Sequence, residues 1–253
     1  MSYFLLFVLA GFIAQLVDGA IGMAYGIINT TLLLSLGIPP VVASASIHVA
    51  EVFTTGISGL SHAFFKNIHR QLLIYLAVPG VVGAVTGAFV LAHLSERFAK
   101  TCIVIYLTLM GLFILYKAIR MKSTAKAAVT FKKSRIIPLG LLGGFFDVAA
   151  GGGWGPIVTP SLIASGIEPR YAVGSTNFAE FFVALFSTIV FILILGISVT
   201  SWQIFVGLLV GGAIAAPLSA YVARSIPRKI FTFIIAIAVI LLSLRMMVKL
   251  IFF

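Results

Sequence analysis

The sequence predicts an all-α polytopic membrane protein made of two inverted-topology repeats. Each repeat is a broken or short helix pair followed by three full transmembrane helices. Three observations carry this expectation. Of 253 residues, 61% are hydrophobic and 9% charged, with a mean hydropathy of +1.21, whereas soluble chains are about half apolar and about a quarter charged. The chain also aligns with itself, without a gap, at an offset of 129 residues. Finally, the basic residues between apolar segments are divided unequally between the two sides of the implied membrane. A soluble core of this length could not hide so much apolar surface. A soluble enzyme, a disordered chain and a DNA-binding domain are therefore excluded. The ~10-residue alternation of a membrane β-barrel is missing.

The self-alignment pairs residues that chance would not pair. Asp18 meets Asp147, Gly22 meets Gly151, Gly26 meets Gly155, Pro40 meets Pro169 and Glu51 meets Glu180. Gly11, Gly37, Ser46, Gly83 and Lys100 likewise meet Gly140, Gly166, Ser175, Gly212 and Lys229. This divides the chain into a first repeat at 1–120, a basic linker at 121–135 and a second repeat at 136–253.

The elements follow in order. Residues 3–18 and 23–36 form the first short pair, broken at the glycines of Asp18-Gly19-Ala20-Ile21-Gly22, because Gly is a poor helix former. The start of the chain lacks a basic region, so 3–18 is expected to be a retained segment and not a cleaved signal. Residues 40–64, 71–94 and 98–119 follow as full spans, each able to cross ~30 Å of hydrocarbon. The second half repeats this as 136–147 and 154–165, broken at Gly151-Gly152-Gly153, then 169–195, 201–223 and 228–250. Each broken pair adds an even number of crossings, whether it re-enters or crosses twice. Each half is then odd, and the halves are inverted. With the linker cytoplasmic, thirteen basic residues lie inside and four outside (Arg97, Lys100, Arg245 and Lys249). Both termini are then outside. The net charge of +11 reads as a topology signal and not as a nucleic-acid surface. Cys102 has no partner for an internal disulfide.

Only six residues are acidic, and four of them lie within apolar segments as repeat partners: Asp18 with Asp147, and Glu51 with Glu180. Ionisable groups at membrane depth are costly and default to function. Glu51 and Glu180 each lie 11 residues beyond a proline, ~16 Å into the helix and near the midplane. Ser44, His48, Glu51, Thr55, Ser58 and His62 share one helix face. In the second half the stripe thins to Asn177, Glu180 and Ser187. Such a face either glues helices together or lines a wet path for protons. Carboxylates at both midpoints favour the path. Asp18 and Asp147 serve as caps or as coupling groups.

The glycine breaks, Gly22 to Gly26 and Gly151 to Gly155, each open a short helix. A helix N-terminus with glycine backbone is a natural anion site; the alternative is glycine for tight helix crossing. No Lys or Arg lies deep in any segment, so neutral donors must help: Asn29, Thr30, Ser46, Thr159, Ser175, Thr176 and Asn177. Tyr25 and Trp154 are repeat partners that either gate the site or sit at an interface. The expected substrate-binding set is Gly22, Gly26, Asn29, Ser46, His48, Gly151, Gly152, Gly153, Trp154, Ser175, Thr176 and Asn177. The expected proton-coupling set is Glu51, Glu180, Asp18 and Asp147. No catalytic residue, metal ligand or cofactor is expected, because the four histidines show no metal spacing. Gly56-Ile57-Ser58-Gly59 matches the GxSG of intramembrane serine proteases, but His62 lies on the same helix and cannot supply the required base from another.

The run Gly151-Gly152-Gly153-Trp154-Gly155-Pro156-Ile157-Val158-Thr159-Pro160 is followed by Gly166-Ile167-Glu168-Pro169 and Ala172-Val173-Gly174-Ser175-Thr176-Asn177. It resembles the second-half signature of sulfite exporter TauE/SafE proteins, also called the toluene-sulfonate uptake permease family. Asp18 to Gly26, with Ala43 to Glu51, resembles the first half of one branch, and the likeness covers nearly the whole chain. It implies secondary transport of a small sulfur-containing or organic anion, coupled to protons, across a bacterial inner membrane. The implied partners are that anion, protons and the bilayer; oligomeric state is not readable. Met23 and Ala24 depart from the glycines aligned with them at 152 and 153, which shifts the expected weight of binding to the second half. Two rivals follow from the residues themselves: a cation carrier using the carboxylates, and an intramembrane hydrolase.

Overall fold

A computed structural model describes residues 2–21, 23–120, 132–196, 201–225 and 228–252. These residues form ten helices and no strand. In chain order they are α1 (Ser2–Ile21), α2 (Tyr25–Ser35), α3 (Pro40–Phe64), α4 (Arg70–His93), α5 (Glu96–Arg120), α6 (Lys133–Ala150), α7 (Trp154–Ala164), α8 (Pro169–Leu195), α9 (Trp202–Ser225) and α10 (Arg228–Phe252). Five of them carry described segments long and apolar enough to cross a membrane, in α3, α4, α5, α8 and α10. The sixth expected span, α9, is 24 residues long.

The broken pairs differ from the expectation in one respect. Their first members are long: α1 has 20 residues and α6 has 18, which is ~30 and ~27 Å of helix. Only α2 and α7, with 11 residues each, are short, at ~16 Å. The glycine break therefore follows a nearly full-length helix.

Local chemistry sets these ends. Gly37 and Gly166 close α2 and α7 with positive φ. Ile38 N–H bonds to Leu33 O at 3.0 Å and Ile167 N–H to Leu162 O at 3.1 Å, the six-to-one closure that leaves no orphan carbonyl. Pro40 and Pro169 then open α3 and α8, where a missing N–H costs nothing.

Packing joins the two halves. α1 lies along α9, with Gly11 against the Leu208 backbone, Gly207 against Phe7, and Gly211 against Val8 and Phe12. α4 lies along α6 in the same way, with Gly80 on Gly144, Gly83 on Leu141, and Gly87 on Phe145. Residue numbers rise together along both seams, so each pair is parallel. Small residues let the backbones touch, as membrane helices favour. Shifting by 129 residues turns one seam into the other. The equivalent helices α3 and α8 run antiparallel, with Gly56 against Phe181 and Gly59 against Phe178. α5 and α10 also run antiparallel, since Arg97 and Lys100 share a surface cavity with Met246 and Lys249 while Gly111 meets Ile240.

The polarity is inside out. Large apolar side chains such as Leu60, Phe64, Leu109, Leu193, Leu241 and Ile251 face outward, whereas Asp18, Asn29, His48, Glu51, Asp147 and Glu180 are buried. Lipid is the solvent that suits that arrangement.

Candidate functional site

The two breaks meet each other. A Cβ built on Gly26, in the first turn of α2, would lie 2.8 Å from Gly152 Cα and 3.2 Å from Gly151 O. The Thr30 hydroxyl donates to Gly151 O. Gly155 packs on Met23. Two helix N-termini, one from each half, thus share one close-packed centre.

Asp147 organises the second-half side of that centre. Its backbone carbonyl accepts Gly152 N–H at 2.7 Å, closing α6. Gly151 and Gly152 turn the chain with φ of 70° and 144°, conformations that glycine adopts without strain. Asp147 Oδ1 then accepts Gly153 N–H at 2.9 Å and Trp154 N–H at 3.0 Å. It therefore caps α7 from six residues upstream, and the cap reading of Asp147 is a geometric fact. Asp18 accepts the N–H of Tyr25, the repeat partner of Trp154.

The other Asp147 oxygen, Oδ2, faces His48 Nε2 at 3.4 Å, and Glu51 Oε2 lies 3.8 Å from the same nitrogen. His48 Nδ1 is 2.7 Å from Ser44 O. A carbonyl only accepts, so Nδ1 carries a hydrogen. The Ser44 hydroxyl donates to Val148 O at 2.8 Å, tying α3 to the end of α6. Nε2 is therefore the nitrogen that gains or loses a proton. His48 Nε2, Glu51 Oε2 and Asp147 Oδ2 are buried and have no hydrogen-bond partner among the described residues. Buried acceptors that face one another call for a shared proton. These atoms lie within 4.8 Å of one another, a gap a cation also bridges. Glu180 and Asp18, both buried, lie within Coulombic reach of the same carboxylates.

The remaining expected residues divide. Asn29 and Ser46 are fully buried, and their side-chain polar atoms find no partner among the described residues. Trp154 is fully buried between Gly80 and Gly143, and its Nε1 donates to Thr176 O at 3.1 Å. That is a packing anchor and not an interfacial aromatic. The Thr176 hydroxyl bonds to its own helix at Ala172 O. Ser175 Oγ accepts the backbone N–H of His69 at 3.0 Å, which holds it at the α3–α4 turn and away from the His48 cluster. Asn177 is buried. Gly22 lies outside the described residues.

Residues 7–246 match the family model of the sulfite exporter TauE/SafE proteins. The chain belongs to the TauE/SafE family. It is 38% identical over 252 residues, covering 98% of this chain and 84% of the relative, to the "probable membrane transporter protein YtnM" of Bacillus subtilis (strain 168). It is 29% identical over 104 residues, covering 41% of this chain and 22% of the relative, to the "sulfite exporter TauE/SafE family protein 3" of Arabidopsis thaliana. No solved structure matches. This TauE/SafE protein is a multi-pass membrane protein of the bacterial cell membrane. Its centre includes one residue that sequence reasoning missed. Tyr106 of α5 donates its hydroxyl to Gly152 O at 2.9 Å and stacks on Phe146 at 5.5 Å. Its repeat partner is Ile235, so the self-alignment gave it no signal.

Proposed function

We propose that the chain is a secondary transporter that moves a small anion across the membrane with protons. The cargo class is sulfite, thiosulfate, a sulfonate or a related organic anion. The observation that carries this reading is the meeting of two helix N-termini, at Gly26 and at Gly152–Trp154, beside His48, Glu51 and Asp147. Helix N-termini favour negative charge. The buried imidazole and carboxylates supply exchangeable protons in the same place. Family membership, and the printed name of the Bacillus relative, support a transporter over an enzyme.

The proposed frame is two inverted repeats, 1–120 and 136–253, with a cytoplasmic linker at 121–135 and both termini outside. The antiparallel runs of α3 with α8 and of α5 with α10 support it, because inversion makes equivalent helices antiparallel. Gly26, Asn29, Ser46, His48 and Gly151 to Trp154 are proposed to bind the anion; Asp18, Glu51, Asp147 and Glu180 are proposed to couple protons. Cation carriage is the second reading, favoured by the three ligand-type atoms that converge at His48. Uptake into proteoliposomes decides between them. The panel is sulfite, thiosulfate, methanesulfonate and divalent metal ions, with and without a pH gradient. Gradient-accelerated movement of an oxyanion is expected. Movement of metal ions alone would transfer the site to the second reading.

A further inference from the structure

The seat that an oxyanion would take is already filled by an internal one. The leading N–H groups of α7, those of Gly153 and Trp154, both point at Asp147 Oδ1, at 2.9 and 3.0 Å. A sulfonate or carboxylate oxygen bound at a helix N-terminus would accept those same two bonds. Asp147 is 2% exposed, and its second oxygen faces the partnerless Nε2 of His48, itself 1% exposed.

We propose that the Asp147 carboxylate stands in for the cargo. It occupies the anion seat of α7 while the transporter is empty, and it yields the seat when it takes a proton through His48 Nε2. This rests on the anion reading above and specifies how that site is regulated. The balance is simple. An imidazolium at His48 gives its Nε2 proton to Asp147 Oδ2 and becomes neutral. The carboxyl loses its charge and turns away from the two N–H groups. The cargo oxyanion accepts both bonds. One proton therefore enters the centre for each negative charge that binds.

The groups facing Asp147 are few. α3 brings His48 and Glu51, α5 brings Tyr106, and α8 and α1 bring Glu180 and Asp18. α4 lays glycines against this part of α6, and the first turn of α7 carries no titratable side chain. His48 is thus the basic side chain among them. In the first half Asp18 caps Tyr25 in the same manner, but the residue equivalent to His48 is Asn177, which carries no exchangeable charge. The exchange is therefore assigned to the second half.

Calorimetry on the purified full chain tests this, using thiosulfate and methanesulfonate, which keep their charge between about pH 5.5 and 8.5. Wild type should take up about one proton per anion, and Kd should rise about tenfold per pH unit on the alkaline side. Asp147→Asn keeps an oxygen for the two N–H groups and loses the charge. It should bind with no proton uptake and a flat pH profile. Should that variant not fold, infrared difference spectra of Glu51→Gln and Glu180→Gln answer the same question. A protonated carboxyl that appears on anion binding in both supports the exchange, and its absence overturns it. Wild-type binding that is independent of pH, or an Asp147→Asn variant with the wild-type slope, overturns the exchange and leaves the anion reading standing. Metal binding with no oxyanion binding at any pH overturns both.

Discussion

Replacing Gly152 with alanine separates two roles that glycine plays here. A Cβ at this position would lie 2.6 Å from the Gly26 carbonyl carbon and 3.0 Å from Ile27 Cα, and it would fall on Ile27 N. Carbon atoms normally approach no closer than about 3.5 Å. The start of α2 must therefore retreat by ~1 Å, pulling the first half off the second. Forced overpacking costs about 1–3 kcal/mol. Residue 152 also has φ of 144°, a region that adds about 1–3 kcal/mol for a residue with a Cβ. The total is about 2–6 kcal/mol, roughly 4–20 °C in melting temperature for a chain of this size. Gly37→Ala is the control. Its φ is 86°, but no atom lies within 4 Å of the added Cβ, so only the conformational part, about 1 kcal/mol, applies. Both variants and wild type would be heated in detergent, and the remaining folded fraction read by size-exclusion chromatography. Equal melting of Gly152→Ala and Gly37→Ala would refute the close contact between the two breaks.

Three further outcomes follow from the same geometry. Glu51→Gln or Glu180→Gln should leave the protein folded in the membrane and remove acceleration by a pH gradient, because Gln keeps the shape and exchanges no proton; unchanged pH dependence of uptake in both would exclude these residues as carriers. Tyr106→Phe loses the hydroxyl bond to Gly152 O and keeps the stack on Phe146. It should lower stability by about 1 kcal/mol, measured as a small drop in melting temperature; a drop as large as that of Gly152→Ala would contradict this. Cysteine tags at residue 126 and at the C-terminus should label from opposite sides of the membrane, and labelling from one side would sink the inverted arrangement.

Much of the architecture was legible because it recurs. The offset of 129 residues marked the breaks, the prolines that open α3 and α8, and the four buried carboxylates. Helical spacing placed Ser44, His48 and Glu51 on one face, and the structure buries all three. A repeat compares equivalents, however, and contacts form between non-equivalents. Nothing in the spacing of His48 and Asp147, which lie in different halves, announces that they meet at 3.4 Å. Ser175 looked like a donor by depth along its helix, yet the α3–α4 turn bends in to claim its oxygen. The sequence also made the first helix of each pair too short. α1 and α6 run on to Ile21 and Ala150, past the aspartates that were read as their ends.

The glycine seams carry a consequence for biosynthesis. α1 is translated early, but the helix that fills its groove, α9, begins at Trp202. At about 5–20 residues per second, the gap is on the order of 10–40 s. During that interval Gly11 has no Leu208 backbone to rest on, and lipid chains or the insertion machinery must cover the groove. α4 waits less, because α6 begins at Lys133. The α4–α6 seam therefore closes first, around an unfinished molecule, and α1 is the last of the early helices to find its place.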